Sequence, residues 1–549
     1  MRPNTACYYI NFGAALRSLG RLKDAVAVLR LAIRLEPGAP EAHSNMAPAL
    51  LALGEAQPAL DAAETALRLH PDLPAGHLNR GLALTVLDRG DEAVAAYERA
   101  LELRPGWPEA YLQLGNALHQ LGRFDDAAAA YRQALSVRPD FVAALTNLGS
   151  TLSSAGQLVE AASVLREAVR LAPCQAEPLL NLGSVLRLSG RLDEALATQQ
   201  HILAHQPDYW PAWAGHAAIL HDLGLPAAAL EAWDQSLTLH PEQPDTRYSR
   251  ALTLLLMGDF ARGWDQLEWR WQAQQHRARL RHTEIPLWAG EDLAGRTILL
   301  HVEEGLGDSI QFARYVPLVA GRGATVVLEA YPALMRLFRS LPGVSRLIVQ
   351  GETPPHCDLQ CPLQSLPRAF ATSLETIPAE TPYLRAGSRE AWAERLGPRH
   401  GPRIGLVWAG RPTHGRDRDR SIALDRLTPL LAFDTADWFG LQLGRQDSLP
   451  TQVIDLSSHL TDMAETAAAL CEIDLLISVD TAVAHLAGAL GRPVWLLLPF
   501  SPDWRWMLGR TDSPWYPTMR LFRQMRPGDW ETVIDAVGIS LRSAFASGD

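Results

Sequence analysis

The hydrophobic and polar positions of the chain follow two rhythms. Through the first half, apolar residues return at helical spacing in paired segments, so that residues 108–122 read as a first helix and 125–138 as a second. After Trp271 the rhythm changes to short, nearly unbroken apolar runs at 297–302, 324–329, 403–408, 438–443, 453–456, 474–479 and 494–498. Runs of that length, apolar at nearly every position, suit parallel strands buried on both faces. Helical segments alternate with them: 308–319 follows the tight loop 303–307, and another helix opens at Asp480-Thr481, good N-cap types, and closes at Gly491 with Pro493 beyond. Strand and helix in alternation predict a doubly wound parallel sheet, here in two parts.

The first half also repeats itself. Pro37, Pro71, Pro105, Pro139, Pro173, Pro207 and Pro241 recur every 34 residues, with Ala25, Ala59, Ala93, Ala127, Ala161, Ala195 and Ala229 in phase. Gly20, Gly54, Gly122, Gly156, Gly190, Gly224 and Gly258 keep the same step, and Asp88 replaces the glycine once. Period, small residue, turn glycine and closing proline closely resemble the tetratricopeptide repeat. The resemblance implies seven repeats over residues 1–243 stacked as an all-α superhelix, whose groove serves binding rather than catalysis. Residues 244–285 then form a degenerate eighth repeat, with Gly263 where alanine is usual, and a polar, basic connector running to His282. Asn11, Asn45, Asn79, Gln113, Asn147 and Asn181 occupy one position in successive repeats. The row resembles the asparagine ladder that grips an extended polypeptide in O-GlcNAc transferases; equally, asparagine there can bond neighbouring helices.

Composition narrows the classes. At 549 residues the chain exceeds one core, and its formal net charge of -11 argues against a broad nucleic-acid surface. No apolar run approaches the about 20 residues of a membrane span, and no signal-peptide core follows the first residues, so a cytoplasmic protein is expected. Cys7, Cys174, Cys357, Cys361 and Cys471 are scattered, which fits a reducing compartment. His356 beside Cys357 and Cys361 could suggest a metal, but without a second ligand cluster buried thiols are expected.

Three stretches of the second half carry a more specific resemblance: Glu304-Gly-Leu-Gly-Asp308, Gly405-Leu-Val-Trp-Ala-Gly410 with its arginine-rich tail, and Asp480-Thr-Ala-Val-Ala-His485. They are similar to the heptosyltransferase-like inverting glycosyltransferases, in the subgroup fused behind tetratricopeptide repeats in bacteria. The resemblance implies a GT-B architecture: two Rossmann-like domains, 286–400 on the acceptor side and 401–549 on the donor side, facing a cleft. It implies a hexosyl- or heptosyltransferase-like enzyme using a nucleotide-sugar as substrate, with no cofactor. The acceptor would be a polypeptide recruited by the repeats. In that family the segment matching Asp480, Thr481, Ala482 and His485 holds the donor diphosphate, and the aspartate matching Asp308, just after Gly307, is the proposed base. Ala482 stands where the family usually has glycine, and Pro317 lies further from Asp308 than the usual proline.

The residues themselves support part of this. A helix start after a buried strand offers free amides and a positive dipole end to an anion, and His485, four residues after Thr481, shares that helix face. Arg411 to Arg420 places four arginines and His414 after a strand, where open α/β sheets bind ligands. Arg420, ahead of Arg418, is the candidate for the family's phosphate-contacting lysine; a solvated loop of internal Arg–Asp pairs is the alternative. Asp417-Arg-Asp419 has the form of a metal motif, but interleaved arginines oppose a hard cation, and no metal site is expected. Asp503, Trp504 and Arg505 lie in an aromatic, arginine-rich loop that either approaches the donor or forms a packed seam. Asp308 is either the base or a helix cap, with Glu303 and Glu304 next in line. A non-catalytic scaffold with a retained nucleotide-sugar fold competes with the enzyme reading, and an epimerase would need an acid/base pair that the sequence does not display.

Overall fold

A computed structural model describes residues 5–274, 280–413, 415–444 and 448–545. His414 and residues 275–279 of the basic connector lie outside the described residues. The chain divides into two compact units, Met1–Gly215 and His216–Asp549.

The first unit is all helical, alternating 13-residue and 14-residue helices from Ala6–Ser18 and Leu22–Leu35 onward. The phase of the sequence explains the packing. Ala25, Ala59, Ala93, Ala127 and Ala161 are fully buried, letting the two helices of a repeat approach closely. A Cβ on Gly115 would lie 2.5 Å from the ring of Tyr131, so that glycine is a packing requirement as well. The turn between paired helices runs through the left-handed region, where Gly122 has φ 74° and Asp88, which replaces the glycine, has φ 58°.

The second unit opens with the end of the array. Helices Pro244–Leu256 and Phe260–Leu267 realise the degenerate repeat. Gly263 faces Leu255, whose Cδ2 lies 2.6 Å from where a Cβ would stand. Two parallel sheets follow. β1 (Thr297–His301), β2 (Thr325–Ala330), β3 (Val344–Val349) and β4 (Leu359–Pro362) pair in the order β3-β2-β1-β4. β5 (Arg403–Val407), β6 (Asp437–Gly440), β7 (Val453–Asp455), β8 (Leu475–Val479), β9 (Val494–Leu498) and β10 (Met519–Arg523) pair in the order β10-β9-β8-β5-β6-β7. Each sheet has one place where consecutive strands depart to opposite sides: between β1 and β4, and between β5 and β8. In open α/β sheets, ligands bind outside the carboxyl ends of the strands at such a switch point.

One continuous core joins the faces of both sheets to the last repeat helices, including Ile298, Leu300, Leu476, Leu496, Phe260 and Trp264. The far face of the second sheet is covered by Trp530–Phe545 and the 3-10 segment Leu424–Ala432 through Leu427, Leu430, Ile534 and Val537. The helix expected at 308–319 is broken into Leu306–Phe312, a 3-10 turn Ala313–Tyr315 and Val316–Gly321. Pro317 causes the break, because it donates no hydrogen bond and its ring opposes the Ala313 carbonyl. Among the described residues no helix is long and apolar enough to cross a membrane.

Candidate functional site

The loop after β1 turns through Glu303, Glu304 and Gly305 into helix Leu306–Phe312. Asp308 is its third residue, and its Oδ2 accepts the Gly305 N–H at 3.1 Å. The other oxygen, Oδ1, pairs with the guanidinium of Arg505 from the loop after β9. Burial raises the Asp308 pKa, Arg505 opposes this, and the carboxyl stays above the usual aspartate value. The capping alternative is therefore realised, together with a second, distant partner. Glu303 points elsewhere: it is buried on Arg270 at 3.0 Å, and Arg270 also serves Glu268 at 2.8 Å. With two carboxylates on one guanidinium, burial pushes Glu303 up to about 7. The Glu304 carbonyl accepts from the Tyr331 hydroxyl.

The loop after β8 contributes Asp480, Thr481 and the start of helix Ala482–Ala489. Thr481 has the extended backbone of an N-cap, but its hydroxyl makes no capping bond; it lies 3.2 Å from the Ser478 hydroxyl. The capping role expected of Asp480-Thr481 side chains is thus not the one they play, and the hydroxyl stays on the strand side. His485 is buried one turn along. Its Nδ1 lies 2.9 Å from the Tyr516 hydroxyl, its Nε2 3.6 Å from Asp480 Oδ1, and its ring 5.3 Å from that of Trp506. Burial alone would raise the Asp480 pKa; the His485 ring outweighs it and holds the carboxyl well below the usual range. Gly307 brings the two helix starts together, since a Cβ there would lie 3.0 Å from His485 Cδ2 and 3.6 Å from Ala482 Cα.

The loop after β5 begins at Trp408, and Arg420 folds back over Gly410, where a Cβ would meet the guanidinium at 2.5 Å. Arg420 is half-buried and its field helps hold Asp480 ionised; Arg418 is exposed. Asp417 lies 3.6 Å from Arg420 Nε and accepts from Ser421 at 2.8 Å, while Asp419 lies 3.9 Å from Arg416. Both acids of the Asp-x-Asp form thus face arginine. Among the described residues no group of three or more His, Cys, Asp or Glu could hold a metal.

The loop after β9 supplies Asp503, Trp504 and Arg505. Asp503 accepts from the Arg505 N–H at 3.0 Å and from its guanidinium at 2.8 Å. Gln311 on the β1-side helix accepts from Arg505 Nε at 2.5 Å. Trp504 belongs to the seam: it is buried against Trp264 at 5.3 Å and Trp515 at 6.0 Å, with no face left for a base or sugar. Arg416 reaches the Ser501 carbonyl at 2.8 Å and lies 3.8 Å from Asp222 in the last repeats. Thus Gly307, Asp308, Arg420, Asp480, Thr481, Ala482, His485, Asp503 and Arg505 gather at the carboxyl edges of both sheets, whereas Arg418 and Trp504 stand aside. Trp506 and Tyr516 belong to aromatic, arginine-rich stretches after β9 but carry no individual signal in the sequence, and Gln311 has no motif of its own.

In the first unit, the amide of Asn79 donates to the Ser44 carbonyl and hydroxyl at 2.8 and 3.0 Å, one repeat back. Asn147 donates to Asn116 at 2.7 Å, Gln113 accepts from Asn116 at 3.4 Å, and the exposed Asn11 reaches Cys7 Sγ at 3.7 Å. Asn45 and Asn181 are half-buried. Asn79 and Asn147 tie one repeat to the next, as the helix-bonding alternative required.

Profiles of the tetratricopeptide repeat match residues 8–38, 72–140, 112–176 and 152–219, so the chain carries these repeats. Protein FlbA of Caulobacter vibrioides is 27% identical over 381 residues, covering 62% of this chain. The chain spans 63% of the length of that relative. Similar solved structures include MamA, 22% identical over 29% of this chain and 93% of its own, with a TM-score of 0.27. YrrB, described as a TPR protein with an unusual peptide-binding site, is 23% identical over 35% of this chain and 100% of its own, at 0.30. A tetratricopeptide repeat protein of Parabacteroides merdae is 18% identical over 45% of this chain and 98% of its own, at 0.38.

Proposed function

We propose that the chain is an inverting, metal-independent glycosyltransferase of GT-B architecture, acting in the cytoplasm on a polypeptide that its repeats recruit. The observation that carries this reading is the meeting of two switch points: the start of helix Ala482–Ala489 with His485 on one sheet, and Asp308 on the other, touching through Gly307. A nucleotide-sugar donor would set its diphosphate on the amides of that helix start, beside Arg420 and His485. Asp308 would take the proton of an acceptor hydroxyl as its oxygen bonds to the anomeric carbon. The bond from that carbon to the phosphate oxygen breaks, and its electron pair leaves on the diphosphate. The contacts of Arg416 with Asp222 and of Trp504 with Trp264 of the degenerate repeat support delivery of an acceptor from the array.

The non-catalytic reading draws on one observation, that both oxygens of Asp308 are engaged, by Gly305 and by Arg505. Thermal stabilisation by a panel of nucleoside diphosphates, followed by turnover of the matching nucleotide-sugar, separates the two. Stabilisation by one base with turnover is expected. Stabilisation without turnover supports a sensing module, and no response from the whole panel overturns the donor site.

A further inference from the structure

Arg505 links three side chains drawn from one loop and one helix. Its guanidinium donates to Asp503 at 2.8 Å and to Gln311 at 2.5 Å, and it pairs with Asp308. It is buried, at 7% exposure, so these partners rather than water satisfy it. The arrangement spans both sheets: Asp503 and Arg505 stand on the loop after β9, Asp308 and Gln311 on the helix after β1. Ion-paired with a guanidinium, the Asp308 carboxylate is a weaker base for an acceptor's proton than it would be alone, and the carboxylates of Asp308 and Asp503 compete with phosphate for the Arg505 N–H groups. Both roles become open together if the guanidinium turns from Asp308 to an incoming diphosphate. Arginine's planar fork suits phosphate bidentately, and a diphosphate outbids one carboxylate in charge. Asp503, a neighbour on the same loop, can keep its own bond to Arg505 through the turn.

Resting on the reading above, we propose that Arg505 is exchanged between Asp308 and the diphosphate of the donor, so that Asp308 is released as a stronger base once the donor is seated. Arg505 is then the residue that orders the reaction. Before donor docking an acceptor hydroxyl meets a carboxylate whose basicity Arg505 holds down.

Inorganic pyrophosphate is the probe, since it carries the charge without any base or sugar, and its binding to the full chain is measured by calorimetry. Asp308→Asn removes the competitor and is expected to tighten binding about fivefold, while Arg505→Gln weakens it about tenfold. The decisive quantity is the coupling: the gain from Asp308→Asn is expected to be about fivefold larger with Arg505 present than in the Arg505→Gln background. Equal gains in both backgrounds mean simple charge repulsion and overturn the exchange. Unchanged binding in Arg505→Gln leaves Arg505 as a bridge between the sheets and likewise overturns it. Failure of the unaltered protein to bind pyrophosphate at all overturns the diphosphate site itself. Thermal melting verifies each variant's fold, and Asp308→Ser takes the place of Asp308→Asn if the latter does not fold.

Discussion

Gly307 shows how closely a single side chain's absence can be specified. A Cβ there would stand 3.0 Å from His485 Cδ2, on a ring already fixed by Tyr516 and Trp506. Gly307→Ala is expected to destabilise the second unit by about 1–3 kcal/mol and to lower diphosphate affinity, read from melting and calorimetry. A variant with unchanged melting and binding would show that His485 has room to move. The proposed base makes a different demand. With the Asp308 carboxyl held above the usual aspartate value, turnover should fall as pH drops through that raised pKa, and Asp308→Asn should lose turnover and that acid limb together. An acid limb that persists in the variant belongs to another group. Motifs marked Asp308, Asp480 and His485 because each lies in the loop or helix that follows a strand, which local sequence reveals. Arg505's partnership was invisible for the converse reason: it joins residues nearly two hundred positions apart, and no local period encodes it.

At the scale of elements, the repeat phase was legible almost entirely, because small residue, turn glycine and proline each answer a local need. Asp88 is the informative exception, an exposed residue held at φ 58° where its counterparts are glycine. Asp88→Gly is expected to raise the stability of the first unit by about 0.5–1 kcal/mol, seen as a higher urea midpoint. A lower midpoint would mean that aspartate tolerates the left-handed region there at no cost. The helix at 308–319 was misjudged in extent because apolar spacing outweighed Pro317 in the reading, whereas the backbone obeys the proline. Buried charge between elements was not legible either. Burial pushes Glu303 up to about 7 from its ordinary 4.5, so the folded chain holds a proton there that the unfolded chain has released. The stability this contributes is complete below the unfolded value and is lost as pH rises through about 7. Glu303→Gln should therefore gain on the unaltered protein as pH rises from about 5 to about 8, measured as urea midpoints. A difference that stays flat across that range would mean that Arg270 keeps Glu303 ionised throughout.

For the whole molecule, the division into Met1–Gly215 and His216–Asp549 suggests where to cut. The fragment 216–549 should fold and keep diphosphate binding while losing modification of a polypeptide acceptor. Cutting instead at 244 removes Trp233 and Asp234, which bond Thr253 at 3.3 Å and Arg250 at 2.7 Å, and should yield a less stable fragment by melting temperature. Equal melting of the two fragments would show that the last full repeat contributes nothing to the second unit. The alternation of strand and helix revealed the two sheets in the sequence; where the compact units part did not follow from the repeat period, since the period continues past the division. Within the first unit, bonds such as Asn79 to Ser44 and Arg132 to Glu160 reach only from one repeat to the next. A structure so joined has no preferred length. Whole 34-residue modules can be gained or lost by gene duplication while every remaining joint keeps its partner, so a lineage can lengthen the array without altering the residues of the second unit.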